Sequence, residues 1–550
     1  MLSKKILLVA SAISLAALVP SQNFSQKKIN AGVGSKSCPV WNPDNGDGTY
    51  RNPIIFADYS DPDVIRSGSD YFLVSSSFVN TPGLPVLHSK DLVNWKIVNH
   101  VTENIPYGDF KFPMHGNGIW APSIRFHNGE YFVFYGDPDY GIFMSKTKNP
   151  FGKWEPLKLV KAAKGWIDPC PFWDDGGNAY LVHAWAKSRS GIKSKLTINK
   201  LSEDGLQILD EGVLVYDGTE KNPTIEGPKL CKQNGYYYIF APAGGVTGGW
   251  QTVLRSKNIY GPYEEKVVLE QGKTGINGPH QGAWVQTQTG ESWFVHFQDR
   301  DAYGRIILLE PMKWIDGWPV IGIDNNGNGI GEPVLNFRKP NTGNFTDIQM
   351  PQTSDEFDSS QLGLQWQWEA NHSNDWYSLT ASKGKLRLFS VPLLKDSPNI
   401  YNLPNVLGQK FPAPQFTATA KLNFNPVSDK EKAGIVVLGK DYAALTISRS
   451  NDGFALTQSI CLNASGDGKE ETTDSKKINS NSLFLRIYVR EGGVCSFGYS
   501  LNGKIFEPIG KEFFAKKGMW VGARIGIFST AEAGSKKTGY ADFDWFRISK

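Results

Sequence analysis

Short runs of aromatic and β-branched residues alternate with polar turns along most of the chain, a pattern that predicts many short β-strands. Five of these runs follow a common phrase: a small or polar lead residue, a Pro or Gly close behind it, and an apolar residue. The lead residues are Asp61, Ala121, Asp168, Glu226 and His280, at intervals of 60, 47, 58 and 54 residues. A strand-rich repeat of roughly 55 residues is typical of a β-propeller with one repeat per blade.

A second phrase recurs between the lead residues and indicates how each blade is built. It joins a strand end, Ser-Lys, a polar turn and an aromatic residue that opens the next strand, as in His88-Ser-Lys, Met144-Ser-Lys and Arg255-Ser-Lys. Each blade would then contain two hairpins. The sequence therefore predicts a five-bladed β-propeller over residues 45–340.

The pattern changes after the propeller. Residues 341–354 are predicted to form a linker, and residues 355–550 contain many short alternating strands, which suit a two-sheet β-sandwich. We expect the last strand, which begins near Tyr540, to pair with the segment that begins near Asp355. The fold class predicted for the whole chain is all-β, a propeller followed by a sandwich.

Composition excludes several classes of protein. The net charge of +4 is spread along the chain without a basic block, so nucleic-acid binding is not expected. The five cysteines are odd in number and have no Cys-x-x-Cys spacing, so neither a zinc site nor a dense disulfide framework is indicated. Whether Cys461 and Cys495 pair is open.

Residues 1–26 resemble a secretory signal peptide. Lys4 and Lys5 precede an apolar stretch from Ile6 to Val19 that is too short to span a bilayer, and polar residues follow it. A membrane anchor is the alternative interpretation. Because nothing else in the chain is apolar enough to cross a membrane, we expect a secreted or periplasmic protein without a span in its mature form.

The lead residues carry the candidate chemistry. Equivalent positions of successive blades surround one axis, so Asp61, Asp168 and Glu226 are expected to converge. Hydrolysis of a glycosidic bond needs one carboxylic acid and one carboxylate at the same pH, and a third ionised carboxylate raises the pKa of the acid. Each of these residues alone is explained as well by turn formation, because Asp, Gly and Pro are turn formers. Three acids at lead positions favour the catalytic interpretation.

The ordered set of phrases resembles glycoside hydrolase family 43. The residues that carry the resemblance are Asn52-Pro with Tyr59-Ser-Asp-Pro-Asp-Val, Gly118-Ile-Trp-Ala-Pro-Ser-Ile, Trp166-Ile-Asp-Pro, Ile225-Glu-Gly-Pro with Asn234-Gly-Tyr-Tyr-Tyr, and Tyr303-Gly-Arg. Family members are five-bladed propellers, typically inverting β-xylosidases, α-L-arabinofuranosidases and arabinanases. The C-terminal part resembles the concanavalin-like sandwich of the β-xylosidase and arabinofuranosidase branch, which contributes a loop that narrows the mouth of the active site.

The resemblance implies a role for each acid. Asp61 corresponds to the general base, Asp168 to the residue that modulates the pKa of the acid, and Glu226 to the general acid. Arg305 corresponds to an arginine that contacts the substrate and the acid. One departure is Cys170, which follows Asp168-Pro169 where many relatives have Ala-Ser.

Other positions match residues that surround the cleaved sugar. Phe78 and Trp120 match apolar positions of the substrate pocket, although each is also explained as a core aromatic. His280 matches a histidine on the propeller axis that holds calcium through water in some members and only forms hydrogen bonds in others. No cofactor is expected to be required, and calcium near His280 is the one metal that the resemblance leaves open.

The sequence therefore predicts an inverting exo-glycosidase that removes terminal β-D-xylosyl or α-L-arabinofuranosyl residues from plant cell-wall polysaccharide or oligosaccharides. Two alternatives are a fructan-cleaving enzyme of similar architecture, whose usual phrases are missing, and a non-catalytic carbohydrate-binding propeller, which would not need three acids. The sequence does not choose between the two pentoses or indicate an oligomeric state.

Overall fold

A computed structural model describes residues 39–343, 347–396, 399–450 and 453–550. The predicted signal peptide, residues 1–26, lies outside the described residues. Within the described ranges, no helix is long and apolar enough to cross a membrane. The one α-helix in these ranges is α1 (Lys187–Ser190), so the all-β prediction is confirmed.

The first half of the chain forms five blades, each a four-stranded antiparallel sheet whose strands follow one another in chain order. This confirms the predicted propeller with two hairpins per blade. The strands of blades I and II are β2 (Asp63–Ser67), β3 (Asp70–Val74), β4 (Gly83–Ser89), β5 (Trp95–Thr102), β6 (Trp120–His127), β7 (Glu130–Asp137), β8 (Gly141–Thr147) and β9 (Lys158–Ala162). Those of blades III to V are β10 (Trp166–Trp173), β11 (Ala179–Trp185), β12 (Lys195–Leu201), β13 (Val213–Asp217), β14 (Lys229–Gln233), β15 (Tyr236–Ala243), β16 (Trp250–Ser256), β17 (Glu264–Leu269), β18 (His280–Gln286), β19 (Ser292–Asp299), β20 (Arg305–Ile315) and β21 (Trp318–Ile321).

The segment ahead of blade I joins the first blade to the last. Ile55 forms an antiparallel bridge with Ile307 of β20. The Asn52 side chain donates to the carbonyl of Leu309 and accepts from its N–H, both at 2.9 Å. A strand β1 (Thr49–Arg51) pairs with β22 (Asn336–Arg338), so the two ends of the propeller chain lie side by side.

The C-terminal part is a sandwich of two eight-stranded sheets. One sheet has the order β23-β27-β37-β29-β30-β31-β32, with β26 beside β37, and the other has the order β24-β25-β38-β28-β33-β34-β35, with β36 beside β34. The strands are β23 (Gln367–Trp368), β24 (Tyr377–Ser378), β25 (Leu386–Phe389), β26 (Val391–Pro392), β27 (Leu407–Lys410), β28 (Phe416–Asn425), β29 (Glu431–Leu438), β30 (Tyr442–Ser450), β31 (Gly453–Cys461), β32 (Glu470–Ile478), β33 (Ser482–Arg490), β34 (Val494–Ser500), β35 (Glu507–Pro508), β36 (Phe513–Phe514), β37 (Arg524–Ala531) and β38 (Tyr540–Ser549).

The first and last segments of the sandwich lie side by side, and its two cysteines are unpaired. The predicted pairing of the last strand with the start of the domain is present as a bridge between Asp355 and Phe546. Cys461 and Cys495 are both buried free thiols, so these two residues do not form a disulfide. Each lies in a separate apolar cluster, where it packs as a small apolar side chain.

The propeller and the sandwich share one apolar core. Phe56, Ile306 and Leu308 of the propeller belong to the same buried cluster as most of the sandwich interior. Thr81 and Trp368 exchange both backbone hydrogen bonds across the boundary, at 3.2 and 2.6 Å. The Tyr303 hydroxyl donates to the carbonyl of Pro414 at 2.6 Å and accepts from the N–H of Gly493 at 3.0 Å. The two domains are therefore one packed unit.

Deletion of residues 355–550 is expected to give an insoluble or nearly inactive propeller. The deletion exposes the apolar residues of the shared core, and exposed apolar surface of that kind leads to aggregation. Size-exclusion chromatography and an activity assay of the truncated and full-length proteins check this. A truncated protein that is soluble, monodisperse and fully active would make the sandwich an accessory module.

Candidate active site

The innermost strands begin with a backbone irregularity that aims side chains at the propeller axis. Asp61, Ala121, Asp168 and Gln281 have positive φ angles of 55°, 27°, 57° and 29°, and Gly227 has 60°. In blades II, III and V the pairing of the first two strands shifts register at this residue. Such a conformation costs about 1–3 kcal/mol for a residue other than glycine, and a bulge redirects the side chain that it carries.

This geometry corrects the expected register. Asp61, Ala121 and Asp168 occupy equivalent bulge positions, but the equivalent residues of blades IV and V are Gly227 and Gln281. Glu226 and His280 therefore come one residue earlier than the shared register predicted. In blades I to IV the bulge residue directly precedes a proline, as in Gly227-Pro228, and that proline is the sequence signal that fixes the register.

Asp61 has both carboxylate oxygens occupied. The Ser76 hydroxyl donates to one at 2.6 Å, and the Arg305 guanidinium donates to the other at 2.8 Å. The Ser76 oxygen in turn accepts from the N–H of Ala121 at 2.7 Å, which links blade II to the carboxylate of blade I. Because the side chain is buried, these charge-assisted hydrogen bonds hold the ionised carboxylate in one orientation.

Asp168 is buried and hydrogen-bonded to the next blade. One of its oxygens accepts from the N–H of Gly227 at 2.7 Å. Burial, and then the negative charge of Asp61, raise the pKa of Asp168 to about 7. The bond to Gly227 also places Asp168 next to the backbone that carries Glu226.

Glu226 is the more open of these acids, with 34% of its side chain exposed. Burial, followed by the charges of Asp168 and Asp61, raises the pKa of Glu226 to about 8. The hydrogen bond from Gly227 favours the ionised form of Asp168, so the proton stays with Glu226. Asp61 and Glu226 together offer an anchored carboxylate and a protonated acid, the pair that acid–base chemistry at neutral pH requires.

His280 lies beside the acid, and the described residues add no cluster of metal ligands to it. Its Nε2 is 3.5 Å from Glu226 Oε1, and neither ring nitrogen has a hydrogen-bond partner among the described residues. Burial and Arg305 lower the pKa of His280 to about 3, so the imidazole is neutral. In the described part of the chain, no group of three or more His, Cys, Asp or Glu side chains is arranged to hold a metal ion. Calcium prefers several oxygen ligands, which this histidine does not supply.

Three aromatic rings form an apolar wall. Phe78 and Trp120, both predicted from the sequence, lie edge to face with ring centroids 6.3 Å apart. Trp520 belongs to the turn between β36 and β37 of the sandwich, and its ring centroid lies 6.1 Å from that of Trp120. The Arg305 guanidinium carbon lies 6.0 Å from the Trp520 ring centroid. Sequence reasoning predicted a loop of the sandwich near the mouth but not Trp520. The signal that the sequence offers is a tryptophan between Gly518 and Gly522, a segment typical of a turn.

Asp58 is a second residue that the sequence reasoning missed. Its carboxylate accepts from the N–H of Arg305 at 2.8 Å, and from the N–H of Gly522 at 3.0 Å. One buried carboxylate therefore fixes the backbone of the arginine that binds Asp61 and the turn that carries Trp520. The sandwich is attached to the propeller directly at the site.

Comparison with known proteins agrees with this geometry. Residues 50–319 match the family described as Glycosyl hydrolases family 43, and residues 354–549 match the Beta xylosidase C-terminal Concanavalin A-like domain. A putative beta-xylosidase of Xylanibacter ruminicola is 39% identical over 88% of this chain and 87% of its own. A non-reducing end alpha-L-arabinofuranosidase of Bacteroides ovatus is 30% identical over 90% of this chain and 94% of its own.

A solved structure shows the same fold. The crystal structure of a GH43 protein from Bacillus licheniformis superposes with a TM-score of 0.80 and 30% identity, over 91% of this chain and 99% of that one. The chain therefore belongs to glycoside hydrolase family 43 and is a glycosidase. The family resemblance and the propeller-plus-sandwich fold predicted from the sequence are both confirmed. Membership in this family favours the first interpretation over the two alternatives, a fructan-cleaving enzyme and a non-catalytic carbohydrate-binding propeller.

Substitution of Glu226 by Gln is expected to raise Tm more at about pH 9 than at about pH 5. A carboxyl group whose folded-state pKa lies above its unfolded value destabilises the fold increasingly as pH rises between the two values. For Glu226 that range runs from the ordinary pKa of a glutamate, 4.5, to about 8. Glutamine cannot ionise and removes this cost.

Thermal unfolding of the wild type, Glu226→Gln and the control Glu220→Gln at both pH values tests the expectation. Glu220 is exposed and lies in the turn that leads into blade IV. An equal Tm difference at both pH values for Glu226→Gln would contradict the raised pKa.

Proposed function

We propose that this glycosidase is an exo-acting, inverting enzyme that releases terminal β-D-xylosyl or α-L-arabinofuranosyl residues from plant cell-wall oligo- or polysaccharide. The observation that carries the proposal is that Asp61 and Glu226, two carboxyl groups of one cluster, have different surroundings. Asp61 is held by Arg305 and Ser76, whereas the raised pKa of Glu226 keeps that residue protonated at neutral pH.

The reaction follows from these two states. The Glu226 carboxylic acid donates its proton to the glycosidic oxygen as the bond to the anomeric carbon breaks. The Asp61 carboxylate accepts a proton from a water molecule, whose oxygen attacks the anomeric carbon from the opposite face. Asp168 orients the backbone at Gly227 and keeps the pKa of Glu226 high. The cycle leaves Asp61 protonated and Glu226 ionised, and exchange with solvent restores both.

The surroundings of the acids support a small terminal sugar as substrate. Phe78, Trp120 and Trp520 form one group of rings that extends to Arg305, and Trp520 comes from the sandwich, whose turn is bound to Asp58. A site to which two domains contribute side chains suits the end of a sugar chain better than its interior. Relatives at 39% and 33% identity carry β-xylosidase names, which supports xylose over arabinofuranose as the preferred sugar.

Proton NMR of the first-formed sugar tests the proposal. With xylobiose, inversion of the β-linkage is expected to give α-xylose before mutarotation, and Asp61→Asn is expected to lower kcat by about 10²–10⁴-fold. Release of β-xylose first would make one of these acids a nucleophile. Release of neither xylose nor arabinose from matched disaccharides would overturn the pentose assignment. The same assay after chelation checks the expectation that no metal is required.

We also propose that the chain is exported, on the basis of residues 1–26. The basic start and short apolar stretch are those of a signal peptide. The intact mass of protein recovered from the periplasm or medium tests this, and retention of the first residues there would contradict cleavage.

A further inference from the structure

Lys229 is a buried cation on the propeller axis, two residues after the bulge residue Gly227. The residue is 3% exposed. Its Nζ donates to the carbonyl of Pro122 at 2.9 Å and to the Ser123 hydroxyl at 2.8 Å, both in β6 of blade II. Because blade III lies between blades II and IV, the side chain crosses the axial channel to reach these partners.

This ammonium has no carboxylate within ion-pair distance among the described residues, although two other cations of the propeller do. Arg125 pairs with Asp63 at 2.6 Å, and Arg305 pairs with Asp61 at 2.8 Å. A buried charge without a partner costs several kcal/mol. Two hydrogen bonds to neutral oxygens offset only part of that cost, so a negative charge at longer range is expected to stabilise the ammonium.

The backbone beside Lys229 and beside its hydrogen-bond partners also supports the acids of the candidate site. Pro122 follows Ala121, whose N–H bonds to the hydroxyl that holds Asp61, and Gly227 donates its N–H to Asp168. Lys229 therefore connects the two bulges that support these carboxyl groups. Unlike Asp61, Asp168 has no ion pair of its own in the described ranges, and the positive charge of Lys229 lowers the pKa of Asp168 against the effect of burial.

Two other interactions lower the pKa of Asp168: the hydrogen bond from Gly227, which does not depend on charge, and the charge of Arg305, whose guanidinium is already bound to Asp61. Arg125 is paired with Asp63, Cys170 accepts a hydrogen bond from Arg125 at 2.9 Å, and burial raises the pKa of Cys231 to about 12. The groups in or beside the strands around Lys229 and Asp168 are Asp61, Asp63, Arg125, Asp137, Cys170, His183, Glu226, Cys231, His280 and Arg305.

We propose that Lys229 is a positioning residue whose ammonium is the counter-charge that favours the ionised form of Asp168, while its two hydrogen bonds fasten the bulge of blade II to that of blade IV. The inference deepens the proposed function, on which it rests, because the negative charge of Asp168 adds to burial in keeping Glu226 protonated. Without the cation, Asp168 holds its proton to higher pH and the acid cluster loses its separation of roles.

Three substitutions separate charge from hydrogen bonding. Lys229→Met removes both, Lys229→Gln keeps a donor without the charge, and Lys229→Arg keeps the charge. Titration of Asp168 is followed by infrared difference spectra against Asp168→Asn, which requires no turnover. We expect the pKa of Asp168 to rise by about one unit in the Met and Gln variants and to stay near the wild-type value in the Arg variant.

The pH profile of kcat/KM in the same variants is a second, independent measurement of the effect of the Lys229 charge. Its acidic limb is expected to move up by about one unit in Lys229→Gln and not in Lys229→Arg. Unchanged titration of Asp168 in Lys229→Gln would overturn the counter-charge, whatever the loss of activity. If Lys229→Met does not fold, the Gln and Arg variants decide the question. A shifted titration in a protein that releases no pentose would leave this inference standing and overturn the proposed function instead.

Discussion

The close approach of three carboxyl groups in a poorly hydrated part of the propeller is the constraint on which the rest of the site depends. Burial, and then the negative charges of neighbouring acids, raise the pKa of Asp168 and of Glu226, so the ionised form of each is disfavoured. The surroundings decide where the proton stays. Arg305 and Ser76 stabilise the charge on Asp61, the N–H of Gly227 stabilises the charge on Asp168, and the proton remains on Glu226.

The backbone is built to tolerate this arrangement. Left-handed residues other than glycine at the start of the innermost strands cost stability in four of the blades, and hydrogen bonds with Ser76 and Gly227 of neighbouring blades hold Ala121 and Asp168 in place. The sandwich extends the same support from outside. Asp58 accepts hydrogen bonds from the backbone of Arg305 and from Gly522 in the turn that carries Trp520. The sandwich is therefore coupled, through Arg305, to the orientation of the Asp61 carboxylate.

The sequence was sufficient for the fold and for the identity of the acids, since Asp61-Pro and Asp168-Pro repeat with the period of a blade. The predicted register placed Glu226 one residue off, because the repeats were aligned on their acidic residues. The proline that follows each bulge residue in blades I to IV is the better marker, and in blade IV it follows Gly227. Trp520 and Asp58 could not be located by spacing, because their contact depends on how two domains pack. Lys229 is visible after Glu226-Gly-Pro, but its partners lie across the channel, more than 100 residues earlier.

The central claim is that Glu226 carries the proton that the leaving group needs. The most direct test compares Glu226→Gln with the wild type on xylobiose and on an aryl xyloside with a good leaving group. Protonation matters for a sugar leaving group and hardly at all for an activated phenol. The account predicts a loss in kcat of about 10²–10⁴-fold on xylobiose and a far smaller loss on the aryl xyloside. Equal losses on the two substrates would contradict it.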